Sequence, residues 1–426
     1  MATPYTLALA DAILKEIYAS GMKDESLTEG VLFGILPKAE GGGDGKVYPV
    51  ITSCGGASSA TFSSAQANSV IPDDTSFKVG GVTDLLSQSF AVGQIGGRAF
   101  ESMAGGGRKT FRDGLERLVD SAMATSIKRM SWGLYNNTSN VLGIVLAYAP
   151  GALTFTITEP ANHVRWNTNM EIVMAATATA ALDDAGASVT VTGVSGRGTG
   201  TVTITSDAAI DGVITSCAAG RYVFIEGDHV AATDYLGIAG LESWNPVAAP
   251  GAGAFMGVNR SVEPERLGGF RFDASGYPSL EQGLILALNT HHAAMGAKPD
   301  VLLLHPDDFA DLVVELSAKS TYERMTISAQ NKKGPVANMG FKGVAIICSF
   351  GDVAVLADPF ATKSVGRALT ISSWELLSAG PCPFLDSRAG SRIRLVHDAD
   401  AYEVRVKSYK QLACSDPGAN ARFVLP

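Results

Sequence analysis

The chain has 426 residues, of which 46% are hydrophobic and 18% are charged, and its mean hydropathy is +0.16. This length predicts two or three compact units, and the charged fraction is below the roughly 25% of an average globular chain. We expect the surplus apolar surface to be buried in contacts between subunits. The net charge is −9, and the sequence has no basic stripe of the kind found in nucleic-acid-binding domains. This pattern excludes a nucleic-acid-binding domain.

Cysteine usage and hydropathy indicate neither an oxidising compartment nor a membrane anchor. The five cysteines are scattered and form no CxxC pair, so a disulfide or zinc framework is not expected. The apolar run Val141–Ala149 is shorter than the ~18 residues that a spanning helix needs. Asp11 and Glu16 interrupt the apolar core that a signal peptide would require.

The first hundred residues predict a helix and then a long arm. Thr3 suits an N-cap, Pro4 the first helical position and Gly21 the exit of a helix. Small and polar residues then dominate 38–103, where loops of such length are uncommon in compact domains. This region is either a flexible linker or a projecting two-stranded arm, and its β-prone runs favour the arm: Val47–Thr52, Phe77–Val82 and Phe90–Val92.

A long helix and then strongly β-prone sequence follow the arm. Apolar residues recur at helical spacing from Arg108 to Tyr135, which at ~1.5 Å per residue gives a spine of roughly 40 Å. Regularly spaced short strands after residue 150 predict a small barrel or sandwich. These predicted strands are Leu153–Thr158, Glu171–Ala175, Ser188–Val194, Gly200–Thr205 and Tyr222–Glu226. This segment, 151–240, has nine acidic and three basic residues.

Mixed α/β patterns return after Gly240 and end in a long hairpin. The helix Ser279–Met295 opens with a capping box formed by Ser279 and Gln282. A strand at Asp300–His305, a helix from Pro306 and two apolar strands, Val344–Cys348 and Val353–Ala357, come next. In RIRLVHDADAYEVRVKSYKQLAC, 392–414, apolar residues alternate with charged ones around an acidic turn, which predicts an antiparallel hairpin with one water-facing side.

No short motif predicts a catalytic, cofactor-binding or metal-binding residue. AGGGRKT at 104–110 lacks the first glycine and the preceding strand of a phosphate-binding loop. Tight turns explain GRGTG at 196–200. His291 lies on the apolar stripe of its helix and is expected in the core. The acidic pair that follows His305 at 307–308 suits the start of a helix, so we expect no enzyme.

Five segments, taken in order, carry a likeness to a known family. They are ALADAILKEIY at 8–18, FMGVNRSVEP at 255–264, KPDVLLLHPDDFADL at 298–312, GFKGVAIICS at 340–349 and HDADAYEVRVKSYKQLA at 397–413. Together with the predicted arm, spine helix and terminal hairpin, the order of these segments resembles that of the major capsid proteins of tailed bacteriophages. That family has the Johnson fold, also called the Hong Kong ninety-seven fold.

The resemblance implies an α+β chain with an N-arm, an extended loop, peripheral and axial domains and an inserted all-β domain. The implied regions are the N-terminal arm 1–37, the extended loop 38–103, the spine helix of the peripheral domain 104–149, the inserted β-rich domain 150–241, the axial domain 242–365, and the peripheral-domain strands with the C-terminus 366–426. Lysines for a cross-link occur in the loop, at Lys46 and Lys78, but no matching asparagine is evident, so cross-linking is not expected.

The function implied is assembly, through pentamers and hexamers, of the icosahedral head shell around double-stranded DNA. The implied partners are other copies of the chain, a separate scaffolding protein, a portal, a decoration protein and, through nonspecific contacts, the packaged DNA, with no membrane. The implied location is the virion, after assembly in the bacterial cytoplasm. The alternative is a surface or decoration-type protein whose β-rich insert, 150–241, recognises a glycan or a protein.

Overall fold

A computed structural model gives the arrangement of most of the chain. It describes residues 30–40, 45–53, 58–67, 73–79, 87–105, 108–158, 165–196, 201–229, 236–319, 344–380, 383–386, 393–397 and 399–426. The predicted helix at 3–21 and most of the GRGTG segment lie outside the described residues. The described part of the chain forms two six-stranded sheets, a closed barrel, two two-stranded sheets and the helices that pack on them. One of the two-stranded sheets pairs β11, Ala254–Phe255, with β12, Val258–Asn259.

The first sheet is built around one long strand near the C-terminus. Its strands are β1 Lys38–Glu40, β4 Ser87–Gly96, β18 Trp374–Ser378, β19 Phe384–Leu385, β20 Ile393–Leu395 and β21 Ala401–Cys414. Strand β21 pairs with β20 as the predicted terminal hairpin, which is confirmed. Along its other edge, β21 pairs antiparallel with β4, from Ala401 opposite Gly96 to Lys410 opposite Ser87.

The spine helix covers one face of this sheet. The predicted helix Arg108–Tyr135 is confirmed with those bounds and packs against β4 and β21. The period of two along β21 places Val404, Val406 and Leu412, all fully buried, on the helix side. The helix approaches the sheet closely at Gly93, where a Cβ would lie 3.0 Å from Cδ1 and 3.1 Å from the carbonyl oxygen of Leu118. A shorter helix, Gly97–Gly105, precedes the spine and was not predicted.

The predicted two-stranded arm is present as an antiparallel hairpin. It consists of β2, Lys46–Ser53, and β3, Asp73–Val79, with a short helix, Phe62–Ala67, between them. A further short helix, Val31–Ile35, lies before β1. The third β-prone run of the arm, Phe90–Val92, belongs instead to β4 in the first sheet, where Ala91 faces the spine helix and Phe90 and Val92 lie on the exposed side.

The β-rich segment forms a closed barrel of six strands. The strands are β5 Gly143–Tyr148, β6 Thr154–Thr158, β7 Glu171–Ala175, β8 Val189–Ser195, β9 Thr201–Ser206 and β10 Tyr222–Ile225, and they close in the order β10-β5-β6-β9-β8-β7. Strand β5 was not among the predicted strands. It comes from the apolar run considered above as a membrane segment, and its period is two, since Val145 is buried between the exposed Ile144 and Leu146.

The second sheet contains parallel and antiparallel neighbours in the order β13-β22-β17-β14-β16-β15. Its strands are β13 Phe270–Asp273, β14 Val301–Leu304, β15 Val344–Cys348, β16 Gly351–Ala357, β17 Val365–Leu369 and β22 Ala421–Val424. The larger helices on it are Leu280–Met295 and Pro306–Lys319, with the short helices Leu241–Trp244 and Pro264–Gly268 nearby. The predicted cap is confirmed, since Oγ of Ser279 accepts from the backbone N–H of Gln282 at 3.3 Å.

Two strands divide the chain differently from the predicted boundary at residue 366. Strands β17 and β22, which the sequence groups with the first sheet, pair with each other inside the second sheet. All five residues of β17 are buried, which shows that both faces of the second sheet are covered at this strand. A single turn at Pro417–Ala419 separates β21 from β22, so the C-terminal segment connects the two sheets.

A buried carboxylate joins three segments that are far apart in the sequence. Oδ2 of Asp358 accepts hydrogen bonds from the backbone N–H of Leu32 and from the hydroxyl of Tyr135, each at 2.9 Å. Its Oδ1 accepts from the backbone N–H of Phe360, also at 2.9 Å. Asp358 is fully buried, so these donors replace the water that an ionised carboxylate needs. The entering chain, the spine helix and the second sheet are therefore fixed to one another.

We predict that Val404→Asp destabilises the chain by more than about 4 kcal/mol, because it places an unpaired charge beneath the spine helix. Leu395→Asp is the matched control, since Leu395 lies in the same hairpin and is 62% exposed. Its effect should stay within about 0.5 kcal/mol. Urea denaturation of the unassembled chain measures both values, and similar midpoints for the two variants would contradict the assigned faces of β21.

A second prediction concerns Asp308 at the start of the helix Pro306–Lys319. Its Oδ2 accepts from the backbone N–H of Ser364 at 2.8 Å, and burial raises the pKa of its carboxyl from 3.8 to about 6. The folded state therefore disfavours the ionised form, so stability declines as the pH rises from about 4 to 6. Asp308→Asn keeps an acceptor for Ser364 and should increase the free energy of unfolding at pH 7 by up to about 3 kcal/mol.

At pH 4 the same substitution should have little effect, because Asp308 is already largely protonated. Asp307→Asn is the control, since the side chain of Asp307 is 59% exposed. Thermal unfolding at both pH values measures the difference. A gain of equal size at pH 4 and pH 7 would show that ionisation of Asp308 is not its cause.

Candidate assembly surfaces

The base of the β2–β3 hairpin is fixed to the first sheet through one carboxylate. Glu375 on β18 accepts a hydrogen bond from the hydroxyl of Tyr48 at 2.8 Å and pairs with the ammonium of Lys46. The hydrogen bond from Lys46 is the main reason that the pKa of Glu375 lies below its usual range. Burial, reinforced by Glu375, raises the pKa of Tyr48, so the phenol stays a donor.

An aromatic cluster holds the second strand of the hairpin. The ring of Phe77 packs edge-on against Trp244, with centroids 5.0 Å apart, and Trp244 contacts Phe255 and Trp374 in the same manner. The two indole N–H groups are satisfied, since Trp244 donates to the carbonyl of Leu412 and Trp374 donates to Oδ1 of Asn420. Phe77 is fully buried. The hairpin is therefore a rigid extension of the body at its base.

The far part of the hairpin is exposed. Residues 58–65 are nearly all exposed, and Phe62 at the start of the short helix has 84% of its surface accessible. An aromatic side chain in this position carries a large apolar area into water. Such a side chain is typical of an anchor that enters a pocket on a partner.

The side of the first sheet opposite the spine helix, here called the open face, carries a second apolar area. Phe90 and Val92 on β4 are each about half exposed. The ring of Tyr409 on β21 packs between Phe90 and Phe384, with centroid distances of 6.2 and 6.4 Å. A flat, partly aromatic face on a sheet is a suitable contact surface for another chain.

The charges on the open face are paired within the chain. Asp386, whose side chain is fully buried, accepts from Arg394 at 2.7 Å and from Lys407 at 2.6 Å. Arg405 pairs with Glu403, two residues earlier on the same strand face. These three cations are the charged side of the hairpin that the sequence indicated. Their first role is to neutralise buried carboxylates, which leaves Phe90 and Val92 as the exposed contact groups.

Exposed apolar side chains also mark the second sheet. Ile347 on β15, which is the last strand at one edge of this sheet, is 78% exposed, and Val314 on the neighbouring helix is 65% exposed. An edge strand has unpaired backbone groups, so apolar residues on it favour pairing or packing with another chain. The described part of the molecule therefore has apolar contact areas at the hairpin, on the first sheet and on the second sheet.

The motifs discussed from the sequence have structural roles where they are described. His291 is buried, its Nε2 lies 3.0 Å from the carbonyl oxygen of Gly418 and its ring stacks on Phe270, as expected for a core residue. The described residues of the 104–110 motif are helical, since one helix ends at Gly105 and the spine helix begins at Arg108. Within the described ranges, no group of three or more potential ligands could hold a metal ion. Among the described helices, none combines the length and hydropathy needed to span a membrane.

Three residues that hold or extend the hairpin were not assigned these roles from the sequence. Lys46 and Tyr48 are two residues apart on one strand, which places them on the same face, yet their shared partner is 327 residues away from Tyr48. Phe62 is a lone aromatic residue in a small, polar stretch, and that isolation is the signal that singles it out.

Comparison with known proteins relates the chain to capsid proteins through structure alone. No family model and no curated protein sequence matches it. Among solved structures, the capsid of cyanophage A-1(L) aligns over 93% of this chain and 92% of its own, with 12% identity and a TM-score of 0.52.

Chains described as Mycobacterium phage Bobi and Gordonia phage Cozz align at TM-scores of 0.43 and 0.41, with 8% and 10% identity. The alignment with Bobi covers 99% of both chains, and that with Cozz covers 93% of this chain and 87% of the other. The predicted fold class is confirmed on the cyanophage alignment: this chain has the fold of a phage capsid protein.

Proposed function

We propose that this chain is the major capsid protein of a tailed phage, which assembles through pentamers and hexamers into the icosahedral head shell around double-stranded DNA. The observation that carries this proposal is the capsid fold, which extends over 93% of the chain. The hairpin, which is fixed at its base and exposes Phe62 in its far part, would contact a neighbouring subunit in such a shell. Such a chain has a structural role and no catalytic one.

The parts of the molecule then take the roles that the resemblance implies, except that β17 and β22 go with the axial domain and not with the peripheral one. Residues 1–37 act as an arm, and the β2–β3 hairpin is the loop that lies over a neighbouring subunit. The first sheet with the spine helix forms the peripheral domain, and the second sheet forms the axial domain around the symmetry axes. A separate scaffolding protein, a portal and a decoration protein are the proposed partners, and the proposed location is the virion.

A surface or decoration-type protein that recognises a glycan or protein through its barrel is the less favoured function. The capsid fold covers nearly the whole chain, whereas a binding module would need only the barrel. The two functions differ in what the purified chain does by itself.

Electron microscopy of the purified chain, alone and together with a coexpressed scaffolding protein of its phage, tests the proposal. We expect closed shells or rings of five and six subunits. Chains that stay monomeric under all these conditions would contradict the proposed function.

A third prediction tests the hairpin. Phe62→Ser should leave the melting temperature of the unassembled chain unchanged, because Phe62 is 84% exposed. It should raise the protein concentration needed for assembly by about tenfold or more, since burial of a Phe side chain contributes about 1.5–3 kcal/mol. Light scattering measures this threshold.

Val247→Ser is the matched control for Phe62→Ser. Val247 is 62% exposed but lies three residues after Trp244, which contacts the base of the hairpin and not the exposed part that carries Phe62. Its assembly threshold should equal that of the unmodified chain. If both variants assemble as the unmodified chain does, Phe62 is not an assembly contact.

A further inference from the structure

A buried ionisable side chain, His291, lies where the chain passes from the first sheet into the second. It belongs to the helix Leu280–Met295, is fully buried, and its ring stacks on Phe270 of β13 with centroids 5.0 Å apart. Its Nε2 donates to the carbonyl oxygen of Gly418 at 3.0 Å, because a carbonyl group can only accept. Gly418 is in the turn Pro417–Ala419 between β21 and β22, so this hydrogen bond attaches the helix to the connection between the sheets.

The other ring nitrogen of His291 has no partner. Its Nδ1 is inaccessible to water and forms no hydrogen bond with any described residue. A neutral imidazole tolerates this position, since Nδ1 then carries a lone pair and no proton. An imidazolium does not, because both of its nitrogens are donors and a buried charge needs acceptors. Burial accordingly holds the pKa of His291 below its usual range.

Two charged groups among the described residues act on the ring directly. Asp416, just before the turn, favours the protonated ring, and His292, the next residue of the helix, disfavours it. The effect of burial on the pKa of His291 is larger than that of Asp416. In the closed arrangement of the turn, Asp416 therefore does not compensate for a charge on the ring.

Charged side chains on the other elements that pack against this helix are engaged elsewhere. Arg271 on β13 donates to two carbonyl groups of the helix Pro264–Gly268. Arg422 on β22 pairs with a glutamate. Glu315 on the neighbouring helix accepts from two backbone amides at the start of the helix that carries His291. These groups already have partners and do not neutralise an imidazolium at this position.

The turn that His291 holds also lines a cleft of about 720 Å³. Met295 and Asp416 form further parts of its wall. The turn fits closely on both neighbouring helices, since a Cβ at Gly418 would lie 3.0 Å from Cε of Met295 and 3.2 Å from Cα of Arg266. A displacement of the turn into the cleft would break the hydrogen bond from Nε2 and admit water to the ring.

We propose that protonation of His291 is a switch that releases the turn Pro417–Ala419 from the helix Leu280–Met295. In the neutral state, the Nε2–H group holds Gly418. When Nδ1 takes a proton from water, the imidazolium requires a second acceptor, and the turn moves toward the cleft so that water and Asp416 approach the ring. This inference concerns the unassembled chain, so it does not depend on the proposed shell function and is tested separately from it.

Hydrogen–deuterium exchange of the full, unassembled chain at pH 7.5 and pH 5.5, corrected for the intrinsic rate at each pH, tests the proposal. The amide of Phe270 donates to the carbonyl of Asn420, and the amide of Asn420 donates to that of Pro417, so both amides report on the turn. An imidazole in water, with a pKa of about 6.5, is about nine-tenths protonated at pH 5.5. Opening should therefore increase by about tenfold at pH 5.5, and equal exchange at the two pH values overturns the proposal.

Two substitutions on the helix assign the effect to one ring. His291→Gln removes the titration but retains an N–H donor for Gly418, so exchange at Phe270 and Asn420 should no longer depend on pH. His292→Gln is the matched control and should keep the tenfold response, because Nδ1 of His292 donates to the carbonyl of Ala297 and not to the turn. An equal response in all three proteins overturns the proposal.

Local exchange is the required readout, because Asp308 titrates in the same range with the opposite effect on stability. Its pKa is raised to about 6, so its own contribution to stability grows as the pH falls. Asp308→Asn should leave the pH response at the turn unchanged.

Nitrogen-15 NMR of the imidazole rings needs no variant and decides the proposal even if His291→Gln fails to fold. At pH 7.5, His291 should show a protonated Nε2 and an unprotonated Nδ1. A ring that is already doubly protonated at pH 7.5, or one that stays neutral while the turn opens at pH 5.5, overturns the proposal.

Discussion

The pairing of β4 with β21 is the constraint on which the rest of the molecule depends. Their register runs without a break from Ala401 opposite Gly96 to Lys410 opposite Ser87. The spine helix packs on both strands, β18, β19 and β20 pair with β21 on its other edge, and β1 is added through β18. After β21, one turn leads into β22 of the second sheet. Loss of this pair would remove the surface on which the spine helix packs.

The β2–β3 hairpin is fixed at its base and exposed in its far part. This combination supports its proposed role as a contact with a neighbouring subunit. Glu375 and the cluster around Trp244 hold its first residues and last residues, whereas Phe62 has no comparable burial within the chain. A rigid base sets the direction of the hairpin and reduces the entropy lost when its exposed part binds a neighbour. The paired charges of the open face also lower the cost of binding, because contact there does not require the desolvation of an unpaired ion.

Elements defined by the spacing of residues close in sequence could be predicted from the sequence. Pairings and contacts that depend on residues far away in the sequence could not. The spine helix and the Ser279 cap follow from residues within a few turns of one another. Strand β5 was missed because an apolar run without charges does not distinguish a strand from a helix. The placement of β17 and β22 in the second sheet depends on which strands they pair with, and no local pattern contains that information. Glu375 and Asp358 were missed for the same reason, since Tyr48 is 327 residues from Glu375, and Leu32 and Tyr135 are 326 and 223 residues from Asp358.

The separation between β4 and β21 also has a consequence for the time course of folding. A ribosome that adds about 5–20 residues per second needs roughly 15–60 s to proceed from one strand to the other. During that interval β4 has no partner and its apolar residues are open to solvent and to other nascent chains. High contact order of this kind slows folding. The first sheet therefore closes only when synthesis is nearly complete, which delays the appearance of its contact surfaces until the whole subunit exists.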